Sequence, residues 1–150
     1  MSDLRIDNVV TSGTFSLDGG TWDVDNNVWV VGDDSDVVVF DAAHTAEPII
    51  AAVGGRNVVA VICTHGHNDH VTVAPALGEA LDAPVLLHPA DDMLWRMTHP
   101  DAEFRAVEDG LVLRELAADV TEEQVREATG PDFRVELNDT PIEDEVSDQT

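Results

Sequence analysis

The sequence predicts an α/β (α+β) fold, on three observations. Short apolar, β-branched runs recur along the first two thirds of the chain. Segments with helix caps and stops separate them, and Gly, Pro and Asp clusters punctuate the joins. Strand and helix therefore alternate, the order expected of a sheet connected through helices. At 150 residues the chain suits one core, burying roughly two-thirds of the surface its unfolded form exposes.

The elements follow in order. "NVWVVGDDSDVVVFD" reads as strands Val28 to Val31 and Val37 to Phe40, joined by an Asp-rich turn over Gly32 to Ser35. After Asp41, Thr45 is a candidate cap, Pro48 an early-turn proline and Gly54-Gly55 a stop, which frame a short helix. "VVAVIC" is a strand expected to be buried on both faces and to end at Thr64. "VAPALGEALDAP" reads as a helix, "VLL" as a buried strand, and "PADDMLWRM" as a helix opened by Pro89. Beyond them, a strand from Leu111 to Leu116 leads to a helix with a Thr121/Gln124 capping box and a Gly130-Pro131 stop, then a strand from Phe133 to Leu137. The expected organisation is a domain over 1–110, a strand-helix-strand extension over 111–138 and an acidic disordered tail over 139–150.

The charge excludes several function classes. Thirty-one acids face seven bases, giving a formal net charge of -24, which is unsuited to nucleic acid or to anionic membrane surfaces. The acids are spread along the chain, nineteen in residues 1–110 and twelve in 111–150, so they read as a solvated coat. A single cysteine, Cys63, excludes an internal disulfide framework and suits a reducing compartment. The opening "MSDLRIDNVV" has no basic stretch followed by a long apolar one, and the expectation is a cytoplasmic protein.

The chemistry concentrates in "ICTHGHNDH", where a strand ends. In an extended or looped backbone His65 and His67 point the same way and can offer imidazole nitrogens to one cation, with Gly66 letting the chain pass closely. Asp69 and His70 lie a turn further on and can face a second cation, as in two-metal hydrolytic sites. Imidazole with carboxylate suits zinc, one or two ions, with iron or manganese as substitutes. A lone histidine is usually a surface or core residue, but four ligand-type side chains in six positions are not a structural need of a polar loop. His44 reads as a site-mouth or supporting residue or as an ordinary loop histidine, His88 as structural, and His99 as a helix-end histidine.

"THGHNDH" matches the His-x-His-x-Asp-His signature of the metallo-β-lactamase superfamily, and "NVWVVGDDSDVVVFDAAH" resembles the hairpin and Asp-bearing turn of its glyoxalase II-like members. The resemblance covers about residues 20 to 105. It implies half of an αββα sandwich with a metal site at the sheet edge, His65 and His67 on the first metal, Asp69 and His70 on the second, and Asp41 in the supporting turn. It implies thioester hydrolysis of the hydroxyacylglutathione type by metal-bound hydroxide, with Asp69 as the catalytic residue that both ligates metal and orients water. The family also supplies a third histidine, a bridging aspartate and a last histidine from a second half. No histidine follows His99 here. A sheet face left uncovered would then call for a homodimer or a partner chain. The alternatives are a truncated or inactive metal-binding member and a mononuclear iron enzyme like the persulfide dioxygenases. "DVTEEQVREATGPDFRV" resembles the tail of CoA-transferase β-subunits and carries over no catalytic residue. The expected partner is a small-molecule substrate, with no nucleic acid and no membrane.

Overall fold

Side chains alternate between two faces through residues 5–32, and this alternation builds the first hairpin. The computed structural model describes residues 3–107, 111–130 and 133–137. Strands β1 (Arg5–Leu17) and β2 (Gly20–Gly32) pair antiparallel along their whole length. Thr11, Asn26, Val28 and Val30 point inward and are buried, while Ile6, Val10 and Trp29 stay exposed on the other face. The sequence reading placed a strand only from Val28 onward, so the hairpin begins much earlier than expected. "RIDNVVTSGTFSL" mixes Ser, Thr and Gly among its apolar residues, which hides the period of two.

Strand β3 (Asp36–Phe40) pairs antiparallel with β2, as the Asp-rich turn implies. Helix α1 (Ala46–Val53) then crosses to β4 (Asn57–Ile62), which lies parallel to β3. Gly54 stops α1 in the left-handed conformation, with φ 63° and its N–H donating to the Ile50 carbonyl. Thr45 stands at the N-cap but its side chain makes no capping bond. Arg56 secures the other end: its guanidinium donates to the carbonyls of Ala52 and Val53, both at 2.7 Å, and to Asp7 Oδ2 at 2.9 Å. This satisfies helix-end carbonyls and ties the helix to β1.

Helices α2 (Asn68–Val71) and α3 (Ala74–Ala80) follow, then β5 (Val85–Leu87), a 3-10 turn over Pro89–Asp91, α4 (Asp92–Thr98) and β6 (Arg105–Ala106). The six strands form one sheet in the order β1-β2-β3-β4-β5-β6, parallel from β3 onward. Val28, Val30, Val37, Val39, Val61 and Leu87 of the sheet meet Ile49, Val53, Val71, Leu77 and Trp95 of the helices in one core. Burying each large aliphatic side chain contributes roughly 1.5–3 kcal/mol. β4 is not buried on both faces throughout: its register against β3 shifts between Val37 and Val38, and Val59 faces solvent. The shift leaves Val59 as an extra residue near the start of β4, and regular pairing resumes from Ala60 to Ile62.

The chain divides into two compact units, residues 1–108 and 109–150. In the second, β7 (Leu111–Leu113) pairs parallel with β8 (Phe133–Val135), with α5 (Glu122–Ala128) between them. The capping box forms as its spacing predicts: Thr121 Oγ1 accepts from the Gln124 N–H and Gln124 Oε1 from the Thr121 N–H. Both strands are shorter than the sequence suggests. The acidic stretch over 139–150 lies outside the described residues. Among the described residues no helix is long and apolar enough to cross a membrane.

Candidate metal centre

Parallel β3 and β4 end at the same edge of the sheet, and the residues immediately after them carry the cluster. Carboxyl ends of parallel strands are where open α/β sheets place ligands, because chain crossing leaves a crevice there. Asp41, first after β3, turns sharply at φ 58°, a conformation that the short polar Asp tolerates better than most residues. Its carboxylate is buried and takes up three donors. Thr64 gives its N–H at 2.8 Å and its hydroxyl at 2.8 Å, and His70 gives Nδ1–H at 2.9 Å.

These bonds fix the histidine tautomers. With Nδ1–H given to Asp41, His70 keeps its lone pair on Nε2. The Thr64 hydroxyl, committed as a donor to Asp41, accepts from His65 Nδ1 at 3.0 Å, so His65 also presents Nε2. One buried carboxylate thereby leaves Nε2 as the lone-pair nitrogen of two neutral histidines, the arrangement in which metal-ligating histidines are held. Burial pushes the Asp41 carboxyl up, but the bonds from His70 and Thr64 outweigh it and hold it below the usual value. The hydrogen bond to Asp41 raises His70, whereas burial, with His70 and His67 nearby, lowers His65.

The three histidines and Asp69 come together. The His65 ring lies 4.8 Å from that of His67 and 4.1 Å from that of His70, centroid to centroid. Asp69, on the single turn of α2, is buried, and its Oδ2 is 3.5 Å from His70 Nε2. Its Oδ1 is buried with no hydrogen-bond partner. An ionised oxygen without a partner in the interior is costly, and it is the donor a cation would satisfy. Among the described residues no three His, Cys, Asp or Glu side chains are grouped to hold one ion. The His65 ring lies closer to His70 than to His67, so ring packing does not divide the four residues into two pairs.

Several residues outside the motif hold it in place. Asn68 Nδ2 donates to the Thr14 carbonyl at 2.8 Å and its Oδ1 accepts from the Ser16 N–H at 2.9 Å, so its amide pairs with the free edge of β1 and pins α2 there. Asp91 Oδ2 accepts from the Gly66 N–H at 2.9 Å. A Cβ at Gly66 would stand 2.9 Å from Leu94 Cβ and 3.0 Å from the Asp91 carbonyl, so the loop passes between the histidines only as glycine. Phe15 meets His67 edge-on at 5.3 Å and Trp22 stacks on Phe15 at 5.7 Å, an apolar wall on that side.

Asn26 is the residue that sequence reading missed. It is buried, donates to Asp69 Oδ2 at 2.9 Å, and accepts from His44 Nε2 at 2.8 Å. His44, with φ 61°, thus acts in the site's support rather than as a free loop side chain. The signal was the inward phase of β2, which puts an amide among Val24, Val28 and Val30. His88 Nδ1 accepts from the Ala90 N–H at 3.1 Å, and His99 Nε2 lies 2.8 Å from the Val71 carbonyl, so both serve local structure. Cys63 is buried beneath the cluster, and burial with the Asp41 charge pushes its thiol up to about 12, which keeps it a neutral packing residue.

Comparison with known proteins identifies the architecture. The family model of the metallo-beta-lactamase superfamily matches residues 21–147. The chain belongs to that superfamily. The match passes the residue 105 at which the motif-based resemblance stops, so the strand-helix-strand of the second unit falls within it. An uncharacterized 11.5 kDa protein from Rhodococcus erythropolis is 63% identical over 43 residues, 29% of this chain and 41% of its own length. A hydroxyacylglutathione hydrolase from Nitrosomonas eutropha is 37% identical over 57 residues, 37% of this chain and 22% of its own. With an uncharacterized Aquifex aeolicus protein, 37% identical over 67 residues and 43% of this chain, the chain covers 32% of that relative. The chain thus spans less than half the length of these curated relatives. A solved structure of TTHA1623 in a di-iron-bound form superposes with a TM-score of 0.51 at 20% identity, covering 77% of this chain and 87% of that one. Metal binding is a property of the superfamily, and His65, His67, Asp69 and His70 are donor types that suit a metal.

Proposed function

We propose that this member of the metallo-β-lactamase superfamily is a metal-dependent hydrolase acting on thioesters of the hydroxyacylglutathione type. The buried, unpartnered Oδ1 of Asp69 beside two tautomer-fixed histidines is the observation that carries the reading. The 57-residue likeness to the Nitrosomonas hydrolase supports the substrate class. His65 and His67 would hold one cation and Asp69 and His70 a second, zinc by preference of imidazole and carboxylate donors, with iron or manganese as substitutes.

When bound, such a cation would lower the pKa of a water to about 7 and polarise an acyl carbonyl. The chain's own residues do the rest. Asp41 holds the protons on Nδ1 of His70 and, through Thr64, of His65, which leaves Nε2 of each neutral ring as its lone-pair nitrogen. Asp69 would offer its unpartnered Oδ1 to the cation and orient water beside it. Phe15 and Trp22 shield the His67 side from solvent.

A second reading, a metal-binding chain without turnover, is supported by the absence, among the described residues, of three His, Cys, Asp or Glu side chains grouped to hold one ion, since catalytic zinc has three protein ligands and an open fourth position. The test is hydrolysis of a hydroxyacylglutathione by zinc-loaded protein. Release of thiol that stops on chelation and in Asp69→Ala supports the hydrolase. Zinc-loaded protein that releases none selects the second reading.

A further inference from the structure

Asn26 sits at the centre of a polar chain that the hydrolytic reading does not use. Gly13 on β1, Asn26 on β2, His44 after β3 and Asp69 on α2 are linked through this one chain. A Cβ at Gly13 would fall 2.2 Å from His44 Nδ1, so the glycine makes room for the imidazole to lie across β1. Burial lowers the His44 pKa, so the ring is neutral at pH 7 and carries one proton. That proton is on Nε2, because Asn26 Oδ1, an acceptor only, lies 2.8 Å away.

Asp69 orients the Asn26 amide, because its Oδ2 is an acceptor only: Nδ2 must face the Asp69–His70 pair, 2.9 Å from Asp69 Oδ2 and 3.3 Å from His70 Nε2, which leaves Oδ1 to accept from His44. Both of those atoms are acceptors, so both amide protons are directed at the pair. The first occupies Oδ2 of Asp69 and leaves Oδ1 as its only unpartnered oxygen. The second approaches the lone pair that His70 keeps because its Nδ1–H goes to Asp41.

We infer that Asn26, clamped by His44, is the positioning residue of the second cation: it selects Asp69 Oδ1 as the ligating oxygen and competes for His70 Nε2. The inference rests on the metal-centre reading above and deepens it. A positioning residue of this kind has two effects of opposite sign. It presents the carboxylate in one orientation, which favours binding, and it donates to a nitrogen the cation needs, which opposes it. Substitutions separate the two. Alanine removes the clamp and frees the carboxylate to turn. Aspartate keeps the shape but places a carboxylate against Asp69 Oδ2, a like-charge contact that a cation relieves.

The experiment is a Zn2+ titration of wild type, Asn26→Ala and Asn26→Asp, followed by the ring-nitrogen resonances of 15N-labelled histidine. Asn26→Ala should raise the Zn2+ concentration at which His70 saturates by about 10- to 100-fold, the range for removing a partner that orients a ligand. Asn26→Asp should lower it, and the His65 and His67 responses should stay as in wild type. His44→Ala should move His70 in the same direction as Asn26→Ala, and His44→Gln, which keeps a donor, should restore part of the loss. Equal His70 midpoints in all three proteins overturn the inference. So do equal losses in both Asn26 variants with His65 affected alike, since that is the pattern of a packing residue. If no wild-type histidine responds to Zn2+, the metal-centre reading falls and takes the inference with it.

Discussion

Asp41 decides the electrostatics of the cluster, since a single carboxylate collects His70 directly and His65 through Thr64. The pair has a defined pH window in the chelated protein. Asp41 titrates below its usual 3.8, so its contribution is present above 3.8 and is lost as pH falls through its lowered value. His70 titrates above its usual 6.5, so its contribution is complete below 6.5 and is lost as pH rises through its raised value. Asp41→Asn keeps a residue suited to the left-handed turn and removes the charge. The stability gap between wild type and this variant should therefore be widest between about pH 4 and pH 6.5 and narrow on both sides. Thermal unfolding against pH checks it, and a gap that is constant from pH 3 to pH 9 would mean that the pair carries no charge interaction.

At the scale of elements, the motif works because β4, the loop at Gly66 and the turn of α2 are held by neighbours on both sides. Gly66→Ala should drive the loop off Leu94 and the Asp91 carbonyl, destabilising the protein by about 1–3 kcal/mol as overpacking does and weakening zinc binding at the same time. Denaturant unfolding and zinc titration of the one variant read both; normal stability with normal binding would show that the loop has slack. The strands and helices nearest the motif, and the clustering of its donor-type side chains, were legible because their signals are local: Pro and Gly stops, β-branched runs, and four donors in six positions. Asn26 was not, because it lies 43 residues from Asp69 and only the folded hairpin brings them together. β1 was not legible for a related reason. Its inward face carries Thr11 and Gly13, the latter required by the His44 ring, while Ile6 and Val10 face outward, and together these break the apolar alternation that marks a strand. The same residues that support the site obscure the element that carries them.

For the whole molecule, charge is the dominant property. Thirty-one acids against seven arginines repel one another in the folded chain, and at 0.1 M salt the screening length is already only about 10 Å. Added sodium chloride should raise the unfolding midpoint, steeply at low ionic strength and less above it; a midpoint that stays flat or drops would mean that the acids are balanced locally. The same charge draws cations toward the molecule in general, so tight binding at the histidine cluster has to be separated from weak binding at the surface. The central claim is that His65, His67, Asp69 and His70 form a metal centre. It is tested most directly by metal content per chain, measured by elemental mass spectrometry on wild type and His67→Ala purified identically without chelator. The account predicts a transition metal in the wild type and a clear loss in the variant. Equal metal in both, or none in the wild type, would contradict it.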